Sequence, residues 1–268
     1  MIHDSRKRLG QHFLVSPDVL KKIISAAALS PSDMVLEIGP GRGALTRSLA
    51  ASGAQVVAIE KDRRLTDLLK DECKERGLKN VRIVAGDILK IDLAELGLGD
   101  DYRVIANIPY YLTARLIRRL LETEPSPRDL LLMVQREVAE RITAKPPRMN
   151  LLALSVQTYA EAKILFPVPQ SAFHPAPEVE SAFIAITAIS DRFFHANRIE
   201  PKTFFRIIRA SFSGKRKVLE NSLSKNLKLS KEMVIPALRR ESVIGRRPAE
   251  LTLADWISVT RVLAPIMD

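Results

Sequence analysis

Four short apolar segments, each closing on a glycine or a polar residue, constrain the fold of this chain more than any other feature. They end at Gly39, Glu60, Asp87 and Asn107, and amphipathic segments with helical spacing follow most of them. Alternation of strands and helices at these lengths predicts βαβ units and a parallel sheet. Because the carboxyl ends of parallel strands face the ligand crevice, we expect the four terminal residues to converge on one site.

Three further segments complete the predicted sheet. Residues 130–134 form a fully apolar run, which is typical of a buried parallel strand. Residues 162–166 and 181–188 are strand-like with little helix between them, so we expect an antiparallel pair at the sheet edge. The pattern predicts an α/β, Rossmann-like domain with a mostly parallel seven-stranded sheet and an antiparallel edge.

The distribution of charge divides the chain near residue 190. Residues 191–268 contain 16 Lys and Arg against 8 Asp and Glu, whereas residues 1–190 contain 26 against 23. Strand-like alternation also gives way to helical periodicity at this point. We therefore predict two domains, an α/β domain at 1–190 with a basic N-terminal arm and a small, basic, all-helical domain at 191–268.

The overall composition restricts the class of protein and its partner. The net charge of +11 predicts a polyanionic partner. A single cysteine, Cys73, excludes a disulfide framework and indicates a reducing compartment, so we expect a cytoplasmic protein. Four scattered histidines show no metal-ligand spacing, and no apolar run is long enough to cross a membrane. We therefore expect neither a metal nor a membrane partner.

The first strand leads into a glycine-rich turn that is typical of nucleotide-binding sites. Gly39 and Gly41 would let the backbone approach a ligand closely where a side chain would clash. Glu60 could accept hydrogen bonds from ribose hydroxyls, and Asp87 could accept one from an adenine amino group. The spacing Gly39-x-Gly41-x-x-Ala44 also satisfies the dinucleotide fingerprint, so a nicotinamide-dependent dehydrogenase is an alternative.

Two acidic residues favour S-adenosylmethionine over a dinucleotide. Glu37 precedes the first glycine by two residues, where a carboxylate would repel a pyrophosphate but suit the cationic methionine end of a sulfonium. Asp87 adds a further negative charge to the same site. We therefore predict S-adenosylmethionine as the cofactor.

The fourth strand runs directly into Asn107-Ile108-Pro109-Tyr110, whose residue types suit methyl transfer to an exocyclic amine. The Asn107 side-chain oxygen and a neighbouring backbone carbonyl could hydrogen-bond the amine and position its nitrogen for attack. Pro109 sets the turn and removes a competing N–H donor, and the Tyr110 ring offers a stacking surface to a flipped base. Taken alone, the tetrapeptide could merely end a strand with a turn.

Several motifs together carry a family resemblance. They are K-R-L-G-Q-H-F-L at 7–14, E-I-G-P-G-R-G at 37–43, V-I-A-N-I-P-Y at 104–110 and P-Q-S-A-F-H-P-A-P-E-V-E-S at 169–181. In this order they resemble the rRNA adenine N6,N6-dimethyltransferases, and within them the small-subunit (KsgA-type) enzymes. The resemblance implies the Rossmann-like fold of an S-adenosylmethionine-dependent methyltransferase.

The resemblance implies roles residue by residue. The implied cofactor contacts are His12, Leu14, Gly39, Glu60, Asp87 and Asn107. The implied contacts to the target base are Asn107, Ile108, Tyr110 and Phe173. The family usually has Asn where His12 stands and Leu where Ile108 stands, and the second change leaves the backbone carbonyl untouched. Phe173 could equally be an apolar plug beneath a proline-rich loop.

The implied activity is dimethylation of two adjacent adenosines in the loop of the 3′-terminal helix of 16S rRNA. The implied partner is the immature small ribosomal subunit, and we expect the chain to act as a monomer. Two alternatives remain open at this point. One is a large-subunit (23S) rRNA adenine dimethyltransferase that gives macrolide resistance, and the other is a non-catalytic ribosome-assembly or RNA-binding factor.

The basic C-terminal segment is expected to hold the RNA by phosphate contacts and shape. The candidate cations are Lys202, Arg206, Arg209, Lys215, Arg216, Lys217, Arg246 and Arg247. Apolar residues also recur at helical spacing, which predicts a helix core rather than a base-stacking surface. These residues are Phe204, Phe205, Ile208 and Phe212.

Overall fold

The computed structural model describes residues 12–214 and 217–267. The chain divides into two compact units. The first comprises the described residues up to Ala139 together with Glu161–Ile189, and the second comprises Glu140–Ala160 and the described residues from Ser190 onward. Residues 6–11 of the basic arm, and two of the predicted RNA contacts, Lys215 and Arg216, lie outside the described residues.

A seven-stranded sheet forms the centre of the first unit. The strands of this unit are β1 (Phe13–Leu14), β2 (Met34–Ile38), β3 (Gln55–Glu60), β4 (Val81–Ala85), β5 (Arg103–Asn107), β6 (Asp129–Gln135), β7 (Glu161–Val168), β8 (Phe173–His174) and β9 (Ser181–Thr187). The sheet order is β4-β3-β2-β5-β6-β9-β7, and β1 pairs separately with β8. Strands β2 to β6 pair with one another in parallel, while β9 runs antiparallel to β6 and β7. The predicted mostly parallel sheet with an antiparallel edge is confirmed.

Helices connect the strands, and two of them begin at residues whose side chains cap the helix N-terminus. They are α1 (Pro17–Ala27), α2 (Ala44–Ala51), α3 (Arg63–Glu75), α4 (Thr113–Glu122) and α5 (Arg136–Ile142). The Ser16 hydroxyl accepts a hydrogen bond from the Val19 N–H, and the Asp62 carboxylate accepts one from the Arg64 N–H, so both residues act as N-caps. Apolar faces of α1 and α2 then join the buried cluster of the sheet.

The second unit is helical. Its helices are α6 (Leu151–Gln157), α7 (Arg192–Asn197), α8 (Pro201–Phe212), α9 (Leu219–Leu227), α10 (Lys231–Arg240) and α11 (Leu253–Leu263). Phe204 and Ile208 are fully buried around Trp256, as their helical spacing predicted for a core. Residues 140–160 belong to this unit because Ala153 and Leu154 are buried in the same cluster, although the sequence division at residue 190 assigned them to the first domain.

The parallel pairing of the strands determines where the functional side chains lie. Ile38 pairs with Ile59, and Glu60 pairs with Ala85, so successive strands end at the same edge of the sheet. That edge is the one at which parallel α/β sheets bind ligands. Among the described residues, no helix is both long and apolar enough to cross a membrane.

Candidate active site

A cavity of about 760 Å³ lies at the carboxyl ends of the parallel strands. Its volume is within the range of small-molecule and cofactor sites. The structure brings together on its wall all four strand-terminal residues and most of the other predicted site residues. The predicted residues that line it are His12, Leu14, Gly39, Gly41, Glu60, Asp87, Asn107, Ile108, Pro109 and Tyr110.

The glycine turn after β2 carries a left-handed backbone at both predicted positions. The φ angle is +69° at Gly39 and +57° at Gly41, a conformation that side-chain-bearing residues rarely adopt. A Cβ atom at Gly41 would also lie 2.9 Å from the Phe13 ring, which is closer than side chains pack. The Arg42 guanidinium lies over the same ring, 4.9 Å from its centroid. The positive φ angles therefore favour glycine at both positions. At Gly41 the Phe13 ring also leaves no room for a Cβ atom.

The Glu60 carboxylate ties this turn to the end of β3. Its Oε2 accepts a hydrogen bond from the Gly41 N–H (3.1 Å), and its Oε1 accepts from the N–H groups of Lys61 (2.8 Å) and Asp62 (2.9 Å). A carboxylate offers about four lone-pair sites, so acceptor capacity remains for a ligand hydroxyl. Glu60 thus shapes the turn, and its remaining acceptor capacity is compatible with the predicted contact to a ribose.

Asp87 is paired with a cation on the cavity wall. The Lys61 Nζ lies 2.9 Å from Asp87 Oδ2, and Asp87 Oδ1 accepts a hydrogen bond from the Leu89 N–H (3.0 Å). The hydrogen bond from Lys61 is the main reason that the pKa of the Asp87 carboxyl is lowered. An adenine amino group that approaches Asp87 therefore meets an acceptor that is already engaged.

Glu37 is a buried carboxyl that also lines the cavity. Burial raises its pKa to about 8, and the nearby charge of Glu60 adds to this shift. Among the described residues, its Oε2 has no hydrogen-bond partner. A buried polar atom without a partner is costly, so the position suits a ligand that brings a cationic or N–H donor group. The methionine end of S-adenosylmethionine carries both, and the site therefore fits this cofactor.

The Asn107 carboxamide at the end of β5 has a defined orientation. Its Nδ2 donates a hydrogen bond to the backbone carbonyl of His12 at 3.2 Å. Because a carbonyl oxygen can only accept, the nitrogen of the amide must face His12. The Oδ1 atom is left as an acceptor on a half-buried side chain that lines the cavity.

The residues after Asn107 are held by burial and by backbone contacts. The Ile108 side chain is buried, which fixes the peptide that carries its carbonyl. The Pro109 carbonyl accepts a hydrogen bond from the Leu112 N–H (2.9 Å) and closes a turn before α4. Burial raises the pKa of the Tyr110 hydroxyl, so this group remains protonated and neutral near neutral pH.

Two rings face each other on the wall of the cavity. The centroids of His12 and Tyr110 are 5.8 Å apart and their planes differ by 27°. The Tyr110 hydroxyl is hydrogen-bonded to the Ser181 hydroxyl (2.7 Å). The His12 Nδ1 lies 2.8 Å from the Pro175 carbonyl, and because that oxygen can only accept, Nδ1 carries the proton. Both rings are therefore anchored at their polar atoms.

Phe173 lies apart from the other predicted base contacts. It pairs with Leu14 in the β1–β8 ribbon, and both side chains are only 4% exposed within the core cluster of the first unit. Phe173 is not part of the cavity wall. The structure shows the apolar packing beneath the loop, and the predicted contact of Phe173 with the target base stays a prediction.

Sequence reasoning missed two contributors to the site. Ser181 holds Tyr110, and its only signal was its place at the end of the 169–181 motif. Lys61 follows Glu60 directly, but nothing local indicates that it reaches Asp87. Among the residues described, no group of three or more His, Cys, Asp or Glu side chains is arranged to hold a metal ion.

The predicted RNA contacts of the second unit differ in their surroundings. Arg246 forms an ion pair with Asp255 (3.1 Å) and is half-buried, so it stabilises the fold locally. Lys202, Arg206 and Arg209 are exposed and, at this spacing, share one face of α8. The exposed candidates within the described residues are Lys202, Arg206, Arg209, Lys217 and Arg247.

Comparisons with known proteins agree with this geometry. The family model for ribosomal RNA adenine dimethylase matches residues 2–258. A protein of Dehalococcoides mccartyi (strain CBDB1), named ribosomal RNA small subunit methyltransferase A, is 41% identical over 94% of this chain and 86% of its own length. The crystal structure of a dimethyladenosine transferase from Plasmodium falciparum has a TM-score of 0.80 at 27% identity, over 95% of this chain and 98% of that one. The 23S rRNA methyltransferase ErmE has a TM-score of 0.69 at 26% identity, over 94% and 99%.

The family match covers residues of both units and includes all the motifs on which the resemblance rests. It argues against the nicotinamide-dependent alternative that the glycine spacing allowed, and against a non-catalytic RNA-binding factor. The chain belongs to the ribosomal RNA adenine dimethylase family and is an S-adenosylmethionine-dependent rRNA adenine dimethyltransferase.

Proposed function

We propose that the chain dimethylates N6 of two adjacent adenosines in the loop of the 3′-terminal helix of 16S rRNA. The proposed partner is the immature small ribosomal subunit in the cytoplasm, and the proposed working form is a monomer. The name of the Dehalococcoides relative supports a small-subunit substrate. The observation that supports the catalytic assignment most directly is the orientation of the Asn107 carboxamide.

Asn107 and Ile108 provide the two acceptors that the substrate amine requires. The exocyclic amine of adenine has two N–H donors, and its lone pair is delocalised into the ring. When Asn107 Oδ1 and the Ile108 carbonyl accept those N–H groups, they hold the nitrogen in place and favour its pyramidal, nucleophilic form. The alkylated nitrogen is acidic enough to release a proton to water, so a strong general base is not required.

Tyr110 supports the base from one side. An adenine can reach Asn107 only after it has left its stack in the RNA, and stacking on an aromatic ring recovers about 1–3 kcal/mol per base. The hydrogen bond to Ser181 fixes the orientation of the Tyr110 ring. Pro109 starts the turn that places this ring beside the two acceptors.

The cofactor supplies, when bound, a methyl group on a positively charged sulfur. Glu37 suits the cationic methionine end, Glu60 the ribose hydroxyls and Asp87 the adenine amino group. The glycine turn leaves the backbone open to close approach. The residues proposed to hold the cofactor are His12, Leu14, Gly39, Gly41, Glu60, Asp87 and Asn107.

One experiment separates the possible substrates. Purified protein is given labelled S-adenosylmethionine together with unmethylated small-subunit particles or with naked 23S rRNA, and the labelled nucleosides are identified. We expect dimethyladenosine in the small subunit at two neighbouring positions. Label in 23S rRNA alone would instead assign a large-subunit activity of the kind named for ErmE.

A further inference from the structure

The turn that follows β4 is held in place by an arginine of α4. The turn comprises Asp87 to Ile91, and its first four residues line the cavity. The Arg119 guanidinium donates a hydrogen bond to the Leu89 carbonyl through Nη1 (2.7 Å) and another to the Ile91 carbonyl through Nη2. Leu89 and Arg119 are 30 residues apart in the chain, so these bonds join two elements that no local pattern connects.

Leu89 connects this arginine to the carboxylate of Asp87. The Leu89 N–H donates to Asp87 Oδ1 (3.0 Å), while the Leu89 carbonyl accepts from Arg119. The backbone carbonyl of Asp87 accepts from the N–H groups of Lys90 (2.8 Å) and Ile91 (3.0 Å). Arg119 therefore restrains Leu89, which holds the side chain of Asp87, and Ile91, which holds its backbone. A shift of these two residues would move the carboxylate.

The surroundings of Arg119 indicate that its contact with the turn is its main role. Among the described residues, no carboxylate forms an ion pair with Arg119, and its Nε is buried without a hydrogen-bond partner. A buried donor without a partner costs free energy, so an apolar side chain of similar length would suit this position equally well for stability alone. The buried Ile88 side chain also attaches the turn to the core, so loss of Arg119 should loosen the turn without unfolding it.

We propose that Arg119 is a positioning residue that sets the Asp87 carboxylate for the adenine amino group of the cofactor, and thereby selects adenine over a deaminated purine. The inference rests on the proposed function, since it presumes that Asp87 accepts a hydrogen bond from this amino group. An amino group donates to a carboxylate, whereas the oxo group of hypoxanthine can only accept and is repelled by one. This discrimination depends on where the carboxylate lies, whereas contacts to the ribose and to the methionine end do not.

The test compares two variants at position 119 with a matched control. Arg119→Met keeps the length of the side chain but has no donor, and Arg119→Lys offers a single donor group in place of the planar fork. Arg118→Met is the control, because Arg118 is the preceding residue of the same helix and is exposed, and its ion pair is with Glu122 (2.9 Å).

Affinities for two ligands are measured by calorimetry for the wild type and each variant. The ligands are S-adenosylhomocysteine and its deaminated analogue S-inosylhomocysteine, which differ only at the purine. We expect the wild type and Arg118→Met to prefer S-adenosylhomocysteine by at least about tenfold. Arg119→Met should reduce this preference to about threefold or less, while its affinity for S-inosylhomocysteine stays within about twofold of the wild type. Arg119→Lys should lie between the two.

Steady-state kinetics and thermal unfolding separate positioning from a merely structural role. On whichever RNA the wild type labels, Arg119→Met should raise KM for S-adenosylmethionine and keep kcat at saturation within about twofold. Its melting temperature should stay within about 3 °C of the wild type. If Arg119→Met does not fold, a reduced preference in Arg119→Lys decides the question.

An unchanged preference in folded Arg119→Met would overturn the proposal. Equal losses of affinity for the two ligands would also overturn it, because Arg119 would then support the whole site and not the carboxylate. If the wild type itself does not distinguish the two ligands, the contact proposed for Asp87 is wrong and the role of Arg119 is wrong with it. If the wild type and Arg119→Met distinguish them equally, only the role of Arg119 is wrong, and the proposed cofactor contacts stand.

Discussion

The amide nitrogen of Asn107 donates a hydrogen bond to the backbone carbonyl of His12 across 3.2 Å. This bond joins the residue that closes β5 to the segment that precedes β1. It determines that the oxygen of the carboxamide, and not its nitrogen, is available to a substrate amine. If Asn107 holds the substrate amine as proposed, its recognition depends on the position of the His12 backbone as well as on the sheet.

Replacing Asn107 with alanine should remove one of the two acceptors for the substrate amine. We expect methyl transfer to fall by about 10²–10³-fold, as when a preorganised hydrogen-bonding group is deleted from an active site. Initial rates on small-subunit particles measure this loss, and calorimetry with S-adenosylhomocysteine should show that the cofactor site is retained. Wild-type rates in the variant would refute the role assigned to Oδ1.

Replacing Lys61 with methionine should strengthen cofactor binding. Lys61 occupies the Asp87 carboxylate at 2.9 Å, and an adenine amino group must compete with it. Because the Lys61 side chain is largely exposed, the gain should be modest, up to about fivefold. Calorimetry with S-adenosylhomocysteine at low and high salt measures the effect, which should shrink as salt rises. Lys70→Met, on the exposed face of α3, is the control, and equal affinities in both variants would mean that Lys61 does not compete.

Glu37 should make the stability of the ligand-free protein depend on pH. Its pKa is raised from an ordinary value of 4.5 to about 8, so the folded protein retains a proton that the unfolded chain releases. The contribution of Glu37 to the free energy of unfolding should therefore be largest below pH 4.5. It should fall as the pH rises from 4.5 to about 8 and stay constant above that pH. Glu37→Gln should remove this dependence and melt at a higher temperature than the wild type above pH 8.

Thermal unfolding of the two proteins at several pH values, without cofactor, tests this expectation. The difference between them cancels the titration of all other groups. Near pH 4 the two should be similar in stability, because Glu37 is then largely protonated in both the folded and the unfolded protein and resembles glutamine. A difference in melting temperature between the two proteins that is the same at every pH would show that Glu37 is not neutral in the folded protein.

The exposed cations on α8 should contribute to RNA binding through phosphates. Replacing Lys202, Arg206 and Arg209 together with glutamine should weaken binding to the small subunit and reduce its salt dependence. In a plot of the logarithm of the binding constant against the logarithm of the salt concentration, each lost phosphate contact should make the negative slope shallower by about 0.7–0.9. Lys231→Gln, on α10 of the same unit, is the control. An unchanged slope in the triple variant would exclude this face from the interface.

Local patterns in the sequence determined the elements of the catalytic unit and the residues at their ends. Apolar runs of strand length and N-caps such as Ser16 depend only on neighbours in the chain, so strands and helices could be predicted from them. Glu60, Asp87 and Asn107 followed because they end strands, and parallel strands end at one edge of a sheet.

Only the tertiary structure decided which partners these side chains meet. Lys61 reaches Asp87, and His12 faces Tyr110, across separations that no local pattern encodes. Phe173 had two possible roles from its sequence, and its pairing with Leu14 placed it in the core. Residues 140–160 belong to the helical unit because their apolar side chains, such as Leu154, are buried in the core of that unit. Burial is a property of contacts between distant segments, whereas periodicity and charge report only on the segment itself.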